Sequence, residues 1–543
     1  MKKLLTLFIS AVLLIGSVGV FAGCGGGGNT PGGDDPGNGS GGNSINYNGT
    51  ININLPVKDY PFEDIALQAV ADAYMELHPE TTINLEGQTS STYKDWLDSQ
   101  FAGGASVTDA DIVQTLLISN TYLTSRMVDY SSYLVQPNPY NDNQAWRDVL
   151  EADAYPLSTD RSGIYTMNFT TNMSFFFYNK TLWREAGLVD ENGNDRIPQT
   201  WDELLQFCAQ IQQRMPEIVP FTAGGATYTT GTMSWLLNIY GDQYFRSIVE
   251  DIHAIAGDYC YDPDIDADWQ LDITDKDNDS PSNYTANMLR FYGAVMDGDI
   301  TPNDAKYKAM ISNLKDLTSY CQENFISNNY YQAEELFWTG SAAMVYNTTD
   351  FFNTYKQIFE QRPEATKFEI GFFPAPPMTG TGESAPDATT VRSVGGAVGW
   401  YGVVQKDKEH NDLVMDFMMF WGSQQGQDIY NQSLKEQGAY VSGNSLVKGV
   451  EMPEEIYPAK DYEFPGLCHN NPVGQFFGNL CSMNGTVYQT FELLCRNYFS
   501  GASTIDNFAS QFTTALQQGI PNYMTQLGWR SDAYLTPERD PSL

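Results

Sequence analysis

The chain is poor in histidine and lacks the common catalytic signatures, and these gaps narrow its chemistry first. Its four histidines, His78, His253, His410 and His469, form no HExxH pair, which excludes the usual helical zinc-hydrolase arrangement. No GxSxG elbow and no P-loop occurs, so the sequence offers neither a strand-to-helix serine nucleophile nor a nucleotide cradle of those kinds. Positive charge is scarce, with 29 Lys and Arg against 67 Asp and Glu and a formal net charge of −38. Such a surface repels phosphate backbones and anionic lipid, so nucleic acid is not expected as a partner, and the acidic excess reads as a solvated face. No CxxC pair is present. Cysteines Cys208, Cys260, Cys321, Cys468, Cys481 and Cys495 are compatible either with disulfides or with buried thiols. Beyond the N-terminus no apolar run is long enough to span a bilayer, and no internal repeat is visible.

What is present begins with compartment signals. Lys2 and Lys3 precede an apolar run from Leu4 to Val20, the pattern of an export signal over residues 1–23. The run ends in Phe21-Ala22-Gly23-Cys24, which resembles the lipobox of bacterial lipoproteins. That resemblance makes Cys24 the lipid-bearing residue of the mature chain and places it extracytoplasmically, tethered to the outer face of the bacterial cytoplasmic membrane; a plain secreted protein is the alternative. Residues 24–44 form a linker in which ten of the eighteen positions from Gly25 to Gly42 are glycine, too poor in apolar side chains to build a core.

The remaining 500 or so residues suffice for two or more domains of roughly 100–200 residues each. Tyr47 to Leu55 alternates as a strand. A helix is expected from Pro61, with Glu63 and Asp64 in its first turn and Ile65, Ala66, Ala69, Val70, Ala73, Tyr74 and Leu77 at helical spacing. Thr82 to Leu85, Asp111 to Leu117, Ser174 to Tyr178, Ala342 to Tyr346, Phe368 to Phe373 and Val398 to Val404 read as further strands. Helices intervene at Tyr93 to Phe101, after the Thr200-Trp201-Asp202-Glu203 capping box, and through Leu413, Val414, Phe417, Met418 and Trp421. This alternation predicts an α/β fold with mixed, mainly parallel sheets flanked by helices.

In order along the chain stand Ala71-Asp72-Ala73-Tyr74-Met75-Glu76-Leu77-His78-Pro79, Asp111-Ile112-Val113-Gln114, Tyr178-Asn179-Lys180-Thr181-Leu182-Trp183-Arg184-Glu185-Ala186-Gly187-Leu188, Phe337-Trp338-Thr339-Gly340-Ser341-Ala342-Ala343-Met344, Ile370-Gly371-Phe372-Phe373-Pro374 and Gly395-Gly396. Together these pieces resemble extracellular solute-binding protein family 1 of ABC importers, over most of residues 45–431. The resemblance implies a two-lobed periplasmic-binding-protein-like fold of type II that closes on a ligand by a hinge motion, with a cleft between the lobes. It implies a non-enzymatic monomer that captures a carbohydrate, without a cofactor or metal, and delivers it to permease subunits. Crossings between the lobes are expected near Thr170 to Ser174, near Phe368 to Phe373 and around Gln424 to Leu434. Lobe 1 would then comprise 45–170 plus 374–425, and lobe 2 would comprise 171–370 plus 426–543.

Open α/β sheets bind ligands in loops at the carboxyl ends of their strands. That rule nominates Gln88, Thr89, Ser90, Thr115, Ser119 and Asn120 in the first lobe, whose hydroxyls and amides can both donate to and accept from sugar hydroxyls or can simply cap the next turn. In the second lobe it nominates Asn347 and Asp350, where the family often has a glycine turn and a stacking Trp. Trp400 and Tyr401 are the leading stacking platforms, then Trp235, then Trp338; each could equally be core. Asp275-Lys276-Asp277-Asn278-Asp279 resembles the start of a calcium loop, but Ser280 and Ala286 stand where the turn glycine and the bidentate Glu belong, so a solvated loop is expected. A secreted glycoside hydrolase is the rival function, since a carboxylate pair is defined only by its separation in space. An adhesion or scaffold protein without a small ligand is the third.

Overall fold

The computed structural model describes residues 45–58, 61–103, 108–118, 120–158, 162–228, 231–472 and 485–543. The leader, Cys24, the glycine-rich linker, Ser119 and Cys481 lie outside the described residues. The chain forms two compact bodies, one from residues up to Asn172 together with Ala397–Tyr462, the other from Met173–Gly396 together with Glu463–Leu543.

In the first body β1 (Gly49–Asn54), α1 (Pro61–Leu77), β2 (Thr81–Leu85), α2 (Ser90–Phe101) and β3 (Ile112–Gln114) follow in sequence. The second body carries β4 (Ser174–Asn179), α3 (Trp201–Arg214), β5 (Val219–Thr222), α4 (Thr232–Phe245), α5 (Tyr330–Trp338), β6 (Ala342–Thr348), α6 (Phe351–Glu360) and β7 (Ile370–Phe373). The chain then returns to the first body with β8 (Tyr401–Val403), α7 (Lys408–Trp421) and α8 (Gln424–Glu436), and it ends in the second with α9 (Gly485–Phe499) and α10 (Ile505–Gln526).

The sheet of the first body has the order β8-β3-β1-β2. β1 runs parallel to β2 and to β3, and β8 is antiparallel to β3 with Tyr401 opposite Gln114. Alternation in β1 turns Ile51 and Ile53 inward, and the apolar stripe of α1 brings Ala66, Leu67, Val70, Ala71 and Tyr74 to the same core. From α7 come Phe417, Phe420 and Trp421. Tyr74 and Tyr140 each donate a hydroxyl to Oδ2 of buried Asp416, at 2.8 and 2.6 Å, which satisfies a carboxylate that would otherwise be costly to bury.

The sheet of the second body has the order β5-β6-β4-β7, with β5 and β6 parallel and β4 antiparallel to both of its neighbours. Every residue of β4 is buried. It is a central strand covered on both faces: Phe176 meets Tyr346 and Phe373, while Phe177 meets Phe351 and Phe352 of α6. A buried ionic cluster lies in this body, where Arg392 pairs with Asp242 and Asp279 and Arg246 pairs with Asp242. Desolvation pushes the Asp242 carboxyl up, yet the guanidiniums of Arg392 and Arg246 hold it below the usual carboxylate range. Cys208 and Cys468 are free buried thiols, and Cys321 is a free half-buried one.

The bodies differ from the expected lobes at two segments. Residues 374–396 belong to the second body rather than the first, because Gln243 of α4 donates its side-chain amide to the carbonyls of Met378 and Ala388. Residues 426–462 belong to the first body rather than the second. There α8 packs along α1, and Leu446 and Val447 enter the first core. The expected strand over Asp111 to Leu117 is limited to three residues, and the expected strand over Val398 to Val404 pairs with β3 only from Tyr401 to Val403.

Candidate functional site

Because β1, β2 and β3 are parallel and β8 is antiparallel to them, the ends of the first three and the start of β8 share one edge of the first sheet. Gln88, Thr115 and Trp400 come to that edge. Gln88 donates its backbone N–H to Leu55 at 2.7 Å and accepts from Lys58 at 3.2 Å, so the loops after β1 and β2 are tied together while its side chain stays half-buried with only a long 3.5 Å contact to the Glu86 carbonyl.

Trp400 has φ 46°, a left-handed conformation that bulky side chains rarely adopt. Three hydrogen bonds over-determine it. Its backbone N–H donates to Oδ1 of Asn168 at 2.8 Å, and its carbonyl accepts the backbone N–H of Thr115 at 2.7 Å and the Thr115 hydroxyl at 2.9 Å. Oγ1 of Thr115 also lies 2.7 Å from that of Thr166, which must donate because the Thr115 proton is already given to Trp400. Thr115 is therefore a buried support for Trp400 and presents no free hydroxyl at the edge. Strain of this kind persists only where surrounding structure imposes it, and it concentrates at ligand sites. Trp400 is half-buried at the strand ends.

Tyr401 is a packing residue in this body. Its ring lies 4.3 Å from Trp421 and 5.7 Å from Phe169, and burial pushes its phenol far above the ordinary tyrosine range. Ser90 opens α2 and Asn120 opens the short helix Asn120–Arg126, but their side chains, like the whole of Ser119, lie outside the described residues.

In the second body β5, β6 and β7 end on the same edge, where β4 begins. Asn347 and Asp350 stand at the end of β6. Asn347 is 3 % exposed, and both ends of its amide are used: Nδ2 donates to Oε1 of Glu334 at 2.5 Å and Oδ1 accepts from the Thr348 N–H at 2.8 Å. It is an internal polar contact and is corrected as a ligand contact on that ground. Trp235 is corrected similarly, being 4 % exposed in the second core with its ring edge-on to Tyr330 at 5.7 Å. Asp350 stays half-buried at the edge, receiving the Thr348 hydroxyl at 3.4 Å. Trp338 stacks on Phe351 at 4.3 Å and is core.

Asn168, Thr166 and Glu334 belong to these constellations, and no sequence signal nominates them. Asn168 lies 232 positions from the Trp400 backbone N–H it accepts, a distance across which one sequence carries no such signal. The calcium-like loop is organised from inside, since Asp279 is 2 % exposed and faces Arg392. Among the described residues no group of three or more His, Cys, Asp or Glu is placed to hold a metal ion. A groove of about 740 Å³ opens elsewhere on the first body beside Tyr140, Asp142, Gln424 and Asp428, away from Trp400 and Gln88. No described helix is long and apolar enough to cross a membrane.

Comparison with known proteins places this geometry. A multiple sugar-binding protein of Streptococcus mutans is 32% identical over 91 residues, a match spanning 17% of this chain and 18% of that relative's length. Among solved structures, a family 1 extracellular solute-binding protein from Bifidobacterium longum subsp. infantis superposes with a TM-score of 0.52 at 14% identity, covering 86% of this chain and 99% of the other. A chitin oligosaccharide binding protein gives 0.51 at 17% identity, covering 87% and 98%. At these identities the structural likeness establishes the fold, the two-lobed α/β architecture of type II binding proteins. The model of the bacterial extracellular solute-binding protein family matches residues 63–428, well over half of the chain, and the protein belongs to that extracytoplasmic, solute-binding family.

Proposed function

We propose that this chain is the solute-capturing component of an ABC importer, that its solute is a carbohydrate of oligosaccharide size, and that it passes the sugar intact to permease subunits. In this reading it works as a monomer outside the cytoplasmic membrane, held there by lipid on Cys24. Family membership supports solute capture, and the sugar-binding relatives favour a carbohydrate. The observation that carries the reading is Trp400, a half-buried tryptophan whose left-handed backbone is pinned at the strand-end edge of the first body. A pyranose has an apolar C–H face and a rim of hydroxyls. An indole gives that face a flat plate at little entropic cost, while Gln88 at the same edge of the first sheet offers an amide to hydroxyls. Sites of this type place a few polar groups around apolar contact area.

The test is titration of the purified protein with a panel of oligosaccharides, followed by tryptophan fluorescence and thermal shift, with recovery of the sugar afterwards. Saturable one-to-one binding of an intact sugar is expected, and Trp400→Ala should weaken it by roughly 10-fold or more with the fold preserved, from lost aromatic contact area. A panel with no saturable member defeats the carbohydrate assignment. Consumption of the sugar would favour the hydrolase instead.

A further inference from the structure

We infer that Asn168 is a positioning residue for ligand capture: its side-chain carbonyl fixes the left-handed turn that presents the Trp400 indole. The inference rests on the reading of Trp400 as the sugar platform.

Asn168 is 0 % exposed, and it is itself anchored, its backbone N–H donating to the Ala154 carbonyl at 2.7 Å. The preceding residue, Met167, exchanges two backbone hydrogen bonds of 2.8 Å with Tyr401, so the segments carrying donor and acceptor are locked in register. Among the described residues the one hydrogen bond of the Asn168 amide is to the Trp400 backbone N–H, and its buried Nδ2 has no partner there. Burying an amide donor unsatisfied is unfavourable, and an apolar side chain of similar size would avoid it. What the amide uniquely supplies is the Oδ1 acceptor, 2.8 Å from the Trp400 nitrogen.

The residue at position 400 is itself unusual for its conformation. Gly395, Gly396 and Gly399 in the same loop also have positive φ, at 122°, 106° and 115°, and glycine takes such conformations without steric cost. A loop that needed only to turn could use glycine a fourth time. Position 400 instead carries the largest side chain in a conformation that opposes it, and two buried groups, Asn168 and Thr115, clamp its N–H and its carbonyl from opposite sides. The clamp fixes the backbone from which that side chain departs. A turn alone would not require it.

The experiment uses the full chain labelled with 5-fluorotryptophan, whose ten tryptophans give separate fluorine resonances, that of Trp400 being identified by its loss in Trp400→Phe. Asn168→Leu removes the acceptor, and Asn168→Asp restores an oxygen at the same place. Asn168→Leu should shift or broaden the Trp400 resonance while resonances of the second body stay put, and should weaken binding of the probe sugars maltotriose, raffinose or chitotriose about 5-fold or more. Asn168→Asp should return both readouts toward the parent. If Asn168→Leu fails to fold, Asn168→Ser, too short to reach Trp400, carries the same expectations. An unmoved Trp400 resonance, or an unchanged affinity in a protein that Trp400→Ala does weaken, overturns the role of Asn168 and leaves the platform intact. If Trp400→Ala changes no affinity, or none of the probes binds, the platform reading falls and the inference falls with it, even if the resonance moves.

Discussion

Glu334 shows how a single buried side chain governs what the edge of the second sheet can offer. It is 6 % exposed, and desolvation pushes its carboxyl up to about 7 from an ordinary 4.5, with the Asn347 amide pulling part of the way back. Between those values the native state keeps a proton that the unfolded chain releases. Stability therefore falls as pH rises through this window, and the penalty is complete above about pH 7. Glu334→Gln removes the ionisable group and leaves an oxygen for Asn347 to donate to. Because each tenfold change in proton affinity is worth about 1.4 kcal/mol, it should stabilise the protein by roughly 3–4 kcal/mol near pH 8 and by little near pH 4.5. Urea midpoints at the two pH values measure this, and an equal gain at both would refute the assignment. The same contact explains why the sequence misleads at Asn347. An amide after a strand has the right chemistry for a sugar hydroxyl, but its partner sits 13 residues earlier on α5, and only the packing of that helix on β6 shows that the amide is already occupied.

Elements are more legible than contacts, because periodicity is local and burial is not. The helical spacing of Ala66, Val70 and Tyr74 marks α1, and the Thr200 to Glu203 spacing marks the start of α3. Thr200 does accept the Glu203 N–H at 3.2 Å, but the Glu203 carboxylate reaches one residue further back than a capping box requires, taking the Gln199 N–H at 2.7 Å. Thr200→Ala should cost about 1 kcal/mol of stability, and Thr200→Ser much less, since the cap is a single side-chain oxygen. Denaturation curves decide it; equal loss in both would mean that the methyl group matters and the oxygen does not. Strands are less legible where the backbone turns early. A continuous strand over Val398 to Val404 is ruled out by the positive φ of Gly399 and Trp400, and that irregularity is the feature that makes Trp400 a candidate. Strand ends point to Gln88 and Thr115 because ligand loops follow strand ends in any open α/β sheet, whereas Trp400 is nominated as an aromatic residue just after Gly395-Gly396. Trp235 follows from residue type alone, and burial in the core overrides it.

At the scale of the whole chain, the C-terminal helices lie beyond the residues matched by the family, yet they are part of the second body's core. α9 and α10 contribute Phe491, Leu494, Phe508, Phe512, Leu516 and Ile520 to it. At roughly 1.5–3 kcal/mol for each buried apolar side chain, their loss is as large as the 5–15 kcal/mol by which a typical domain is stable. They also brace the loop after β5: Oε1 of Glu492 accepts the Thr227 hydroxyl at 2.8 Å and the Tyr228 N–H at 2.9 Å, and Arg496 donates to the Ala226 carbonyl at 2.8 Å. The first body, by contrast, draws its core from β1, α1, α7 and their neighbours and takes nothing from α9 or α10. A chain stopped after residue 484 should therefore keep slow amide exchange in β1, α1 and α7 while β4, β6 and α4 exchange as unfolded backbone, and the proposed sugar binding should be absent. Hydrogen exchange read by peptide mass distinguishes the outcomes. Full protection of β4 and β6 in the shortened chain would mean that the helices merely cover a core already complete without them, and the second body would then have to be redrawn to end before α9.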